Sequence, residues 1–291
     1  MLIVGCGDVG LRVARQLPAS LKVIALTSSP ERLPALRQAN ITPLLGNLDA
    51  PATLRRLAGL ATRVVHLAPP PGHSPDWRND PRTEALLRAL RLRSLPRSLV
   101  YGSTSGVYGD CGGEQVDETR RLNPATPRAQ RRVQAERLVR LFGRATATPS
   151  HVLRIPGIYA ADREGGTPHG RLLKGTPVLR AEDDVYTNHI HADDLARACL
   201  AALWRGRPQR TTNVCDDTQL LMGDYFDLAA DLYRLPRPPR VARSGAQEQL
   251  PLMLLSFMSE SRRLDNRRLK EELRLTLRYP TVAEGLRCLK P

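Results

Sequence analysis

Short runs of β-branched and other apolar residues alternate with stretches of helical periodicity through the first 160 residues of this chain. A parallel sheet built from βαβ units needs this alternation, because its strands are buried on both faces whereas each crossover helix buries one stripe. The pattern predicts strands over Met1–Val4, Leu21–Leu26, Ile41–Leu45, Arg63–Leu67, Ser98–Ser103 and Val152–Ile155. The first helix is the clearest: Val9, Val13 and Leu17 recur every four residues as one apolar stripe, and Pro18 stops it. Ser29 is placed to cap the second helix, with Pro30 in its first turn. Prolines, a glycine and Asp/Asn between Pro69 and Pro81 predict an irregular loop, then an amphipathic helix through Leu86, Leu87 and Leu90. A longer helix is expected from about Pro127 to Phe142, with Val133, Leu138, Val139 and Phe142 facing inward.

The fold class expected is α/β: a Rossmann doubly wound parallel sheet with a smaller, discontinuous C-terminal substrate lobe. Residues 1–160 form the nucleotide-binding part, with returns near 190–215 through a helix Asp194–Trp204 and a strand Thr212–Val214. Residues 161–291, rich in proline and glycine at their start, form the lobe; Pro236–Pro239 reads as a stiff linker, and no internal repeat is visible.

Composition narrows the class. With 291 residues, 41% of them hydrophobic and 25% charged, and with 21 Gly and 24 Pro, the chain is globular rather than collagen-like or disordered. No apolar run approaches the roughly 18 residues of a membrane span, and Met1–Val4 leads into a glycine turn rather than a basic leader, so a cytoplasmic protein is expected. Five widely spaced cysteines, Cys6, Cys111, Cys199, Cys215 and Cys288, fit neither a disulfide framework nor a zinc site. The net charge of +15 raises the question of nucleic acid. Only four of the 44 basic residues are lysine, however, and the arginines are scattered, which reads as compositional bias rather than a polyanion-binding face.

Gly5-Cys6-Gly7-Asp8-Val9-Gly10 has the G-x-G-x-x-G spacing, directly after an apolar strand and at the start of an amphipathic helix. Gly5 permits the tight turn, Gly7 lets a diphosphate approach the backbone, and Gly10 lets helix and strand pack closely. Asp8 and Val9 open the helix whose amides would face the phosphates. At the end of the second strand, Ala25-Leu26-Thr27-Ser28-Ser29 holds no acid to bind a ribose 2′-hydroxyl. Thr27 and Ser28, with Arg32 one turn beyond, suit a 2′-phosphate, so NADP is preferred to NAD.

Together with these, Gly46-Asn47-Leu48-Asp49, His66-Leu67-Ala68, Ser103-Thr104-Ser105-Gly106-Val107-Tyr108-Gly109, Arg154-Ile155-Pro156-Gly157-Ile158-Tyr159 and Ile190-His191-Ala192-Asp193-Asp194-Leu195-Ala196 resemble the extended short-chain dehydrogenase/reductase superfamily, the NAD-dependent epimerases and dehydratases. The resemblance covers Met1 to about residue 215. It implies that Asn47 and Leu48 lie by the adenine, that Ala68 flanks the cofactor, and that Thr104 stands where the family's catalytic Ser/Thr orients a substrate oxygen; the alternative for Thr104 is a buried residue satisfying strand-end backbone. The family's Tyr-x-x-x-Lys pair is absent, since its positions hold Arg128 and Arg132. Arginine stays protonated, so these two can grip an anion or polarise a carbonyl but cannot shuttle a proton. The Asp-Glu pair of sugar dehydratases is also missing, replaced by Ser105 and Gly106. The chain therefore resembles atypical members of the superfamily.

Tyr108, ahead of Tyr159 and Tyr186, is the candidate substitute acid; the alternative is a tyrosine packed beneath the substrate loop. His189 and His191 alternate on a strand but have no third ligand, so no metal is expected, and Asp193 reads as the N-cap of the next helix. Asp117 and Glu118 point apart, and Cys111 sits where a thiol pKa is raised rather than lowered. The expected function is an oxidoreductase or epimerase-like enzyme on a small substrate, anionic or a sugar nucleotide. The rival is a cofactor-binding sensor or partner module without turnover. A homodimer is left open.

Overall fold

The structure is a computed structural model that describes residues 1–72, 76–249, 255 and 258–287. Seven strands form one sheet: β1 (Leu2–Val4), β2 (Ile24–Thr27), β3 (Thr42–Leu45), β4 (Arg63–His66), β5 (Ser98–Thr104), β6 (Ser150–Ile155) and β7 (Arg210–Asn213). All pairings are parallel, in the order β3-β2-β1-β4-β5-β6-β7. This is the Rossmann order with one further strand outside β6.

Period-two alternation sends neighbouring side chains of β1 to opposite layers. Leu2 and Val4 pack with Leu54, Leu57 and the helices α3 (Pro81–Leu90) and α4 (Pro127–Thr146). Ile3 packs on the other face with α1 (Asp8–Arg15) and Leu36 of α2 (Leu33–Gln38). The same face takes the long helix Ala192–Arg205. Asp80 caps α3 by accepting from the Arg82 and Thr83 amides, and Thr126 caps α4 through the Ala129 amide. In α4 the predicted inward residues Val133, Val139 and Phe142 are buried and Leu138 is half-buried; the helix runs on to Thr146 and ends at left-handed Ala147.

The chain comes back to the sheet late: β7 pairs with β6 in register Thr212↔Leu153, and helix Ala192–Arg205 lies against α1. A further return was not predicted. Leu269, Leu273, Leu275 and Leu277 fill the α1 layer. Pro236–Pro239 is no linker between bodies, since Pro239 O accepts from Val178 N and the chain continues as a strand pairing Arg240–Val241 with Val178–Leu179. Tyr159, Leu172, Leu179, Met222, Tyr225 and Phe226 belong to a separate apolar cluster.

Two capping expectations are corrected. Ser29 stands at a helix start but makes no side-chain cap; Thr27 Oγ1 accepts the Ser29 amide instead, at 3.2 Å. The helix Ala192–Arg205 is capped by His191, whose Nδ1 accepts from Asp193 N at 3.2 Å. Asp193 thereby lies inside the first turn, two residues past the cap, and its carboxylate is used elsewhere.

Of the four imidazoles buried by this architecture, three have their pKa moved furthest. His66 Nε2 bonds Thr83 Oγ1 at 3.0 Å, and Thr83 donates onward to Asp80, so that imidazole nitrogen carries the proton. His151 Nε2 bonds Thr212 Oγ1 at 2.9 Å, and His189 stacks on Tyr225 at 4.2 Å. Burial lowers all three, His66 to about 3 and His151 and His189 to about 4. Carboxyls oppose them: burial pushes Asp216 up to about 8 and also raises Glu118 and Asp184. The unfolded chain protonates these imidazoles below about pH 6.5 where the folded chain keeps them neutral, and Asp216, protonated only when folded, is the largest opposing shift. Stability should therefore fall by roughly 2 kcal/mol per pH unit as pH drops from 6 towards 5. Urea midpoints at pH 7.5, 6 and 5 measure this, and an unchanged midpoint would contradict it.

Candidate functional site

The chain leaves β1 through Gly5 at φ +83°, a left-handed conformation that favours glycine. A Cβ there would also lie 2.3 Å from Ala68 N. Ala68, buried and donating to Val4 O at 3.1 Å, is thus the wall behind the turn. At Gly10 a Cβ would meet Gly5 O and Ile3 at 3.2 Å, so helix and strand touch closely. Gly7 differs: a Cβ there meets nothing within 4 Å, and no side chain caps α1. The first amides of a helix lack intrahelical acceptors, so those of Asp8, Val9 and Gly10 line open space with the positive end of the helix dipole behind them. A diphosphate fits this cradle.

At the end of β2, Thr27 is buried and spends its hydroxyl in its own turn, accepting from Ser29 N and donating to Ser29 O. It is not free for a phosphate. Ser28 is exposed, and Arg32 is half-buried with Nη2 anchored on Cys6 O at 2.6 Å, which holds its guanidinium over the glycine turn. Beyond β3, exposed Asn47 accepts the Asp49 amide and leaves its own NH2 without a partner among the described residues. Leu48 is half-buried against the α3 layer.

Thr104 ends β5, half-buried, its Oγ1 accepting from Gly106 N at 3.3 Å. The turn Ser105–Tyr108 packs on the start of α4: a Cβ at Gly106 would lie 3.7 Å from Thr104 and 3.9 Å from Ala129. Arg128, next to Ala129, is exposed and makes no hydrogen bond or ion pair among the described residues. Desolvation and the neighbouring Arg132 charge lower its pKa, so an anion there would be favoured. Arg132 is buried, donating to Gly102 O at 2.6 Å and Tyr101 Oη at 3.0 Å; it braces α4 against β5 and does not face a substrate, which corrects its expected role.

Tyr108 is corrected as well. It is 1% exposed, donates to Asn213 Oδ1 at 2.7 Å and accepts from Arg154 Nη1 at 2.8 Å. Burial pushes the phenol up to about 12 despite the Arg154 cation. The same guanidinium reaches Glu136, which is wholly buried and also accepts from Ser103 Oγ and Arg140. Tyr159 donates to Thr281 O and is raised by burial, and Tyr186 packs beneath Arg263. His189 and His191 both lie edge-on to Tyr159, and His191 stacks on Tyr279 at 3.7 Å. Among the described residues no group of three His, Cys, Asp or Glu could hold a metal. Glu118 is buried, accepting the Asn213 amide, while Asp117 caps its own turn. Cys6, Cys111, Cys199 and Cys215 are unpaired and buried, with burial raising the Cys111 thiol; Cys288 lies outside the described residues.

One cluster was missed. Arg12 donates to Asp8 at 3.1 Å, to Asp193 at 2.6 Å and to Asp162, and Arg163 donates to Asp8 at 2.7 Å. The i,i+4 spacing of Asp8 and Arg12 was its visible signal; nothing local marks Asp162 or Arg163.

Parallel strands in Rossmann order, the glycine turn and Thr104 at the end of β5 define an extended short-chain dehydrogenase/reductase. The chain belongs to the NAD-dependent epimerase/dehydratase family, whose sequence model matches residues 1–215. A conserved protein of unknown function from Silicibacter pomeroyi shares 32% identity and a TM-score of 0.81, covering 98% of this chain and 96% of that one. The UDP-glucose 4-epimerase of Thermotoga maritima, solved with UDP-glucose, superposes with a TM-score of 0.78 at 20% identity, covering 98% and 96%. The dTDP-glucose 4,6-dehydratase DesIV of Streptomyces venezuelae, solved with NAD, gives 0.77 at 21%, covering 98% and 94%. The "Putative UDP-glucose 4-epimerase" of Methanocaldococcus jannaschii is 21% identical over 152 residues, 49% of each chain, so this chain spans about half the length of that curated relative. No described helix is long and apolar enough to cross a membrane.

Glu136 is the test of how the site edge is held. Glu136→Ala leaves Arg154 buried without its carboxylate and should cost about 3–5 kcal/mol in urea unfolding, the usual loss for one partner of a buried pair. A loss under 1 kcal/mol would show that the network bears no weight.

Proposed function

We propose that the protein binds NADP(H) in preference to NAD(H) and works as an oxidoreductase or epimerase-like enzyme on a small anionic substrate, a sugar nucleotide among them. The observation that carries this reading is the open space over Gly7 at an uncapped helix start, with Arg32 held beside it on Cys6 O. Arg32 and Ser28 then meet a 2′-phosphate, Asn47 and Leu48 the adenine, and Ala68 the wall of the cleft. The DesIV dehydratase solved with NAD supports a nicotinamide dinucleotide in this turn, and the Thermotoga epimerase solved with UDP-glucose supports a sugar-nucleotide substrate.

A reduced nicotinamide, when bound, supplies a hydride. The residues of this chain do the rest. Thr104 Oγ–H donates to the substrate carbonyl oxygen, and Arg128 offers positive charge as the C=O electron pair moves onto that oxygen. The oxygen takes its proton from water, since Tyr108 and Tyr159 spend their phenol protons on Asn213 and Thr281. A second reading, cofactor binding without turnover, is favoured by that same commitment of Tyr108 and Tyr159 to core partners.

Calorimetry with NADP⁺ and NAD⁺ tests the cofactor. Gly7→Ala should keep the melting temperature and lose about tenfold or more in affinity for both nucleotides, because the methyl enters the diphosphate cradle without touching the protein. Arg32→Ala should lose about tenfold for NADP⁺ with little change for NAD⁺, the worth of one charge-assisted contact. Equal losses for the two would remove the NADP preference. With a panel of carbonyl substrates, Thr104→Val should lower turnover about a hundredfold at unchanged cofactor affinity; no turnover by the native chain over a wide panel would favour the second reading.

A further inference from the structure

An acid stands next to the place proposed for the diphosphate. Asp8 is the first residue of α1, immediately after Gly7, and a helix N-terminus attracts its carboxylate and a diphosphate alike. Two arginines neutralise it, and they are not equivalent. Arg12 is 7% exposed in its side chain and shared among Asp8, Asp162 and Asp193. It is a fixed counter-ion. Arg163 is 30% exposed in its side chain and has one partner among the described residues, Asp8 Oδ2.

The backbone of Arg163 is nonetheless pinned. Its neighbour Asp162 is held by Arg12, and the turn is closed by Arg163 N to Ala160 O at 3.3 Å and Gly166 N to Arg163 O at 2.9 Å. The side chain can turn about a fixed base at the mouth of the cradle. A guanidinium fork matches a phosphate as well as a carboxylate.

We infer that Arg163 is an exchangeable diphosphate clamp, paired with Asp8 when the cradle is empty and with a phosphate oxygen of the dinucleotide when it is filled. The inference rests on the nucleotide reading above. It gives the two partners of one ion pair opposite effects on binding. Arg163 contributes to affinity, whereas Asp8 competes for Arg163 and repels the ligand.

Isothermal titration of the full chain with NADP⁺, at 50 and 200 mM salt, tests this with Arg163→Gln and the near-isosteric Asp8→Asn, folding being checked by thermal melts. Arg163→Gln should weaken binding about tenfold and flatten its salt dependence, while Asp8→Asn should tighten it about threefold or more. Arg163→Lys, which keeps the charge and loses the fork, should fall between wild type and Arg163→Gln. Shifts of the same sign in Arg163→Gln and Asp8→Asn would mean the pair only holds the segment onto α1, and would overturn the clamp. So would wild-type affinity in both. Failure of the native chain to bind either nucleotide overturns the cofactor reading and the clamp together, whereas normal native binding with same-sign variants overturns the clamp alone.

Discussion

The Glu136 carboxylate has no contact with water, so its charge persists only because protein groups replace the solvent. Ser103 from β5, Arg154 from β6 and Arg140 from α4 itself supply the donors. Arg154 continues to the Tyr108 phenol, and Tyr108 to Asn213 of β7. One carboxylate thereby ties α4 to three neighbouring strands at their C-terminal ends. The height at which the first turn of α4 meets Thr104 follows from that tie, and with it the position of Arg128. It also removes Tyr108 from proton transfer: a phenol serving as donor to Asn213 and acceptor for a guanidinium has no spare valence for a substrate.

Arg128 and Arg132 stand four residues apart on α4 and are not used alike. A lysine is a point cation on a flexible stem, whereas a guanidinium presents a planar fork. In Arg132 the fork turns into the sheet, onto Gly102 O and Tyr101 Oη. Arg128 is exposed, a cation without a counter-ion among the described residues.

Much of the fold could be read from local pattern. β1, the glycine turn and α1 are encoded within 15 consecutive residues, so periodicity and glycine spacing suffice. The cradle over Gly7 was legible for the same reason. The role of Tyr108 was not, because it depends on Arg154 and Asn213, 46 and 105 residues away. Asp193 was misplaced as a cap because Asp is a common capping residue and histidine an unusual one; His191 prevails because its imidazole, held against Tyr159 and Tyr279, points Nδ1 at the helix start. Leu269 to Leu277 gave no strand or helix signal strong enough to assign them to the sheet layer they fill.

The electrostatics of the glycine turn are the strongest case of distance defeating sequence reading. Asp162 and Asp193 reach Arg12 from 150 and 181 residues along the chain. Asp194, beside Asp193, accepts the Arg278 and Tyr279 amides. A glycine fingerprint specifies where amides point, and says nothing about which charges later segments bring to them. Here those segments bring two carboxylates, Asp162 and Asp193, and one guanidinium, Arg163, to a helix start that already holds Asp8 and Arg12. The electrostatic field at that turn is therefore set in large part by residues outside the motif that identifies it.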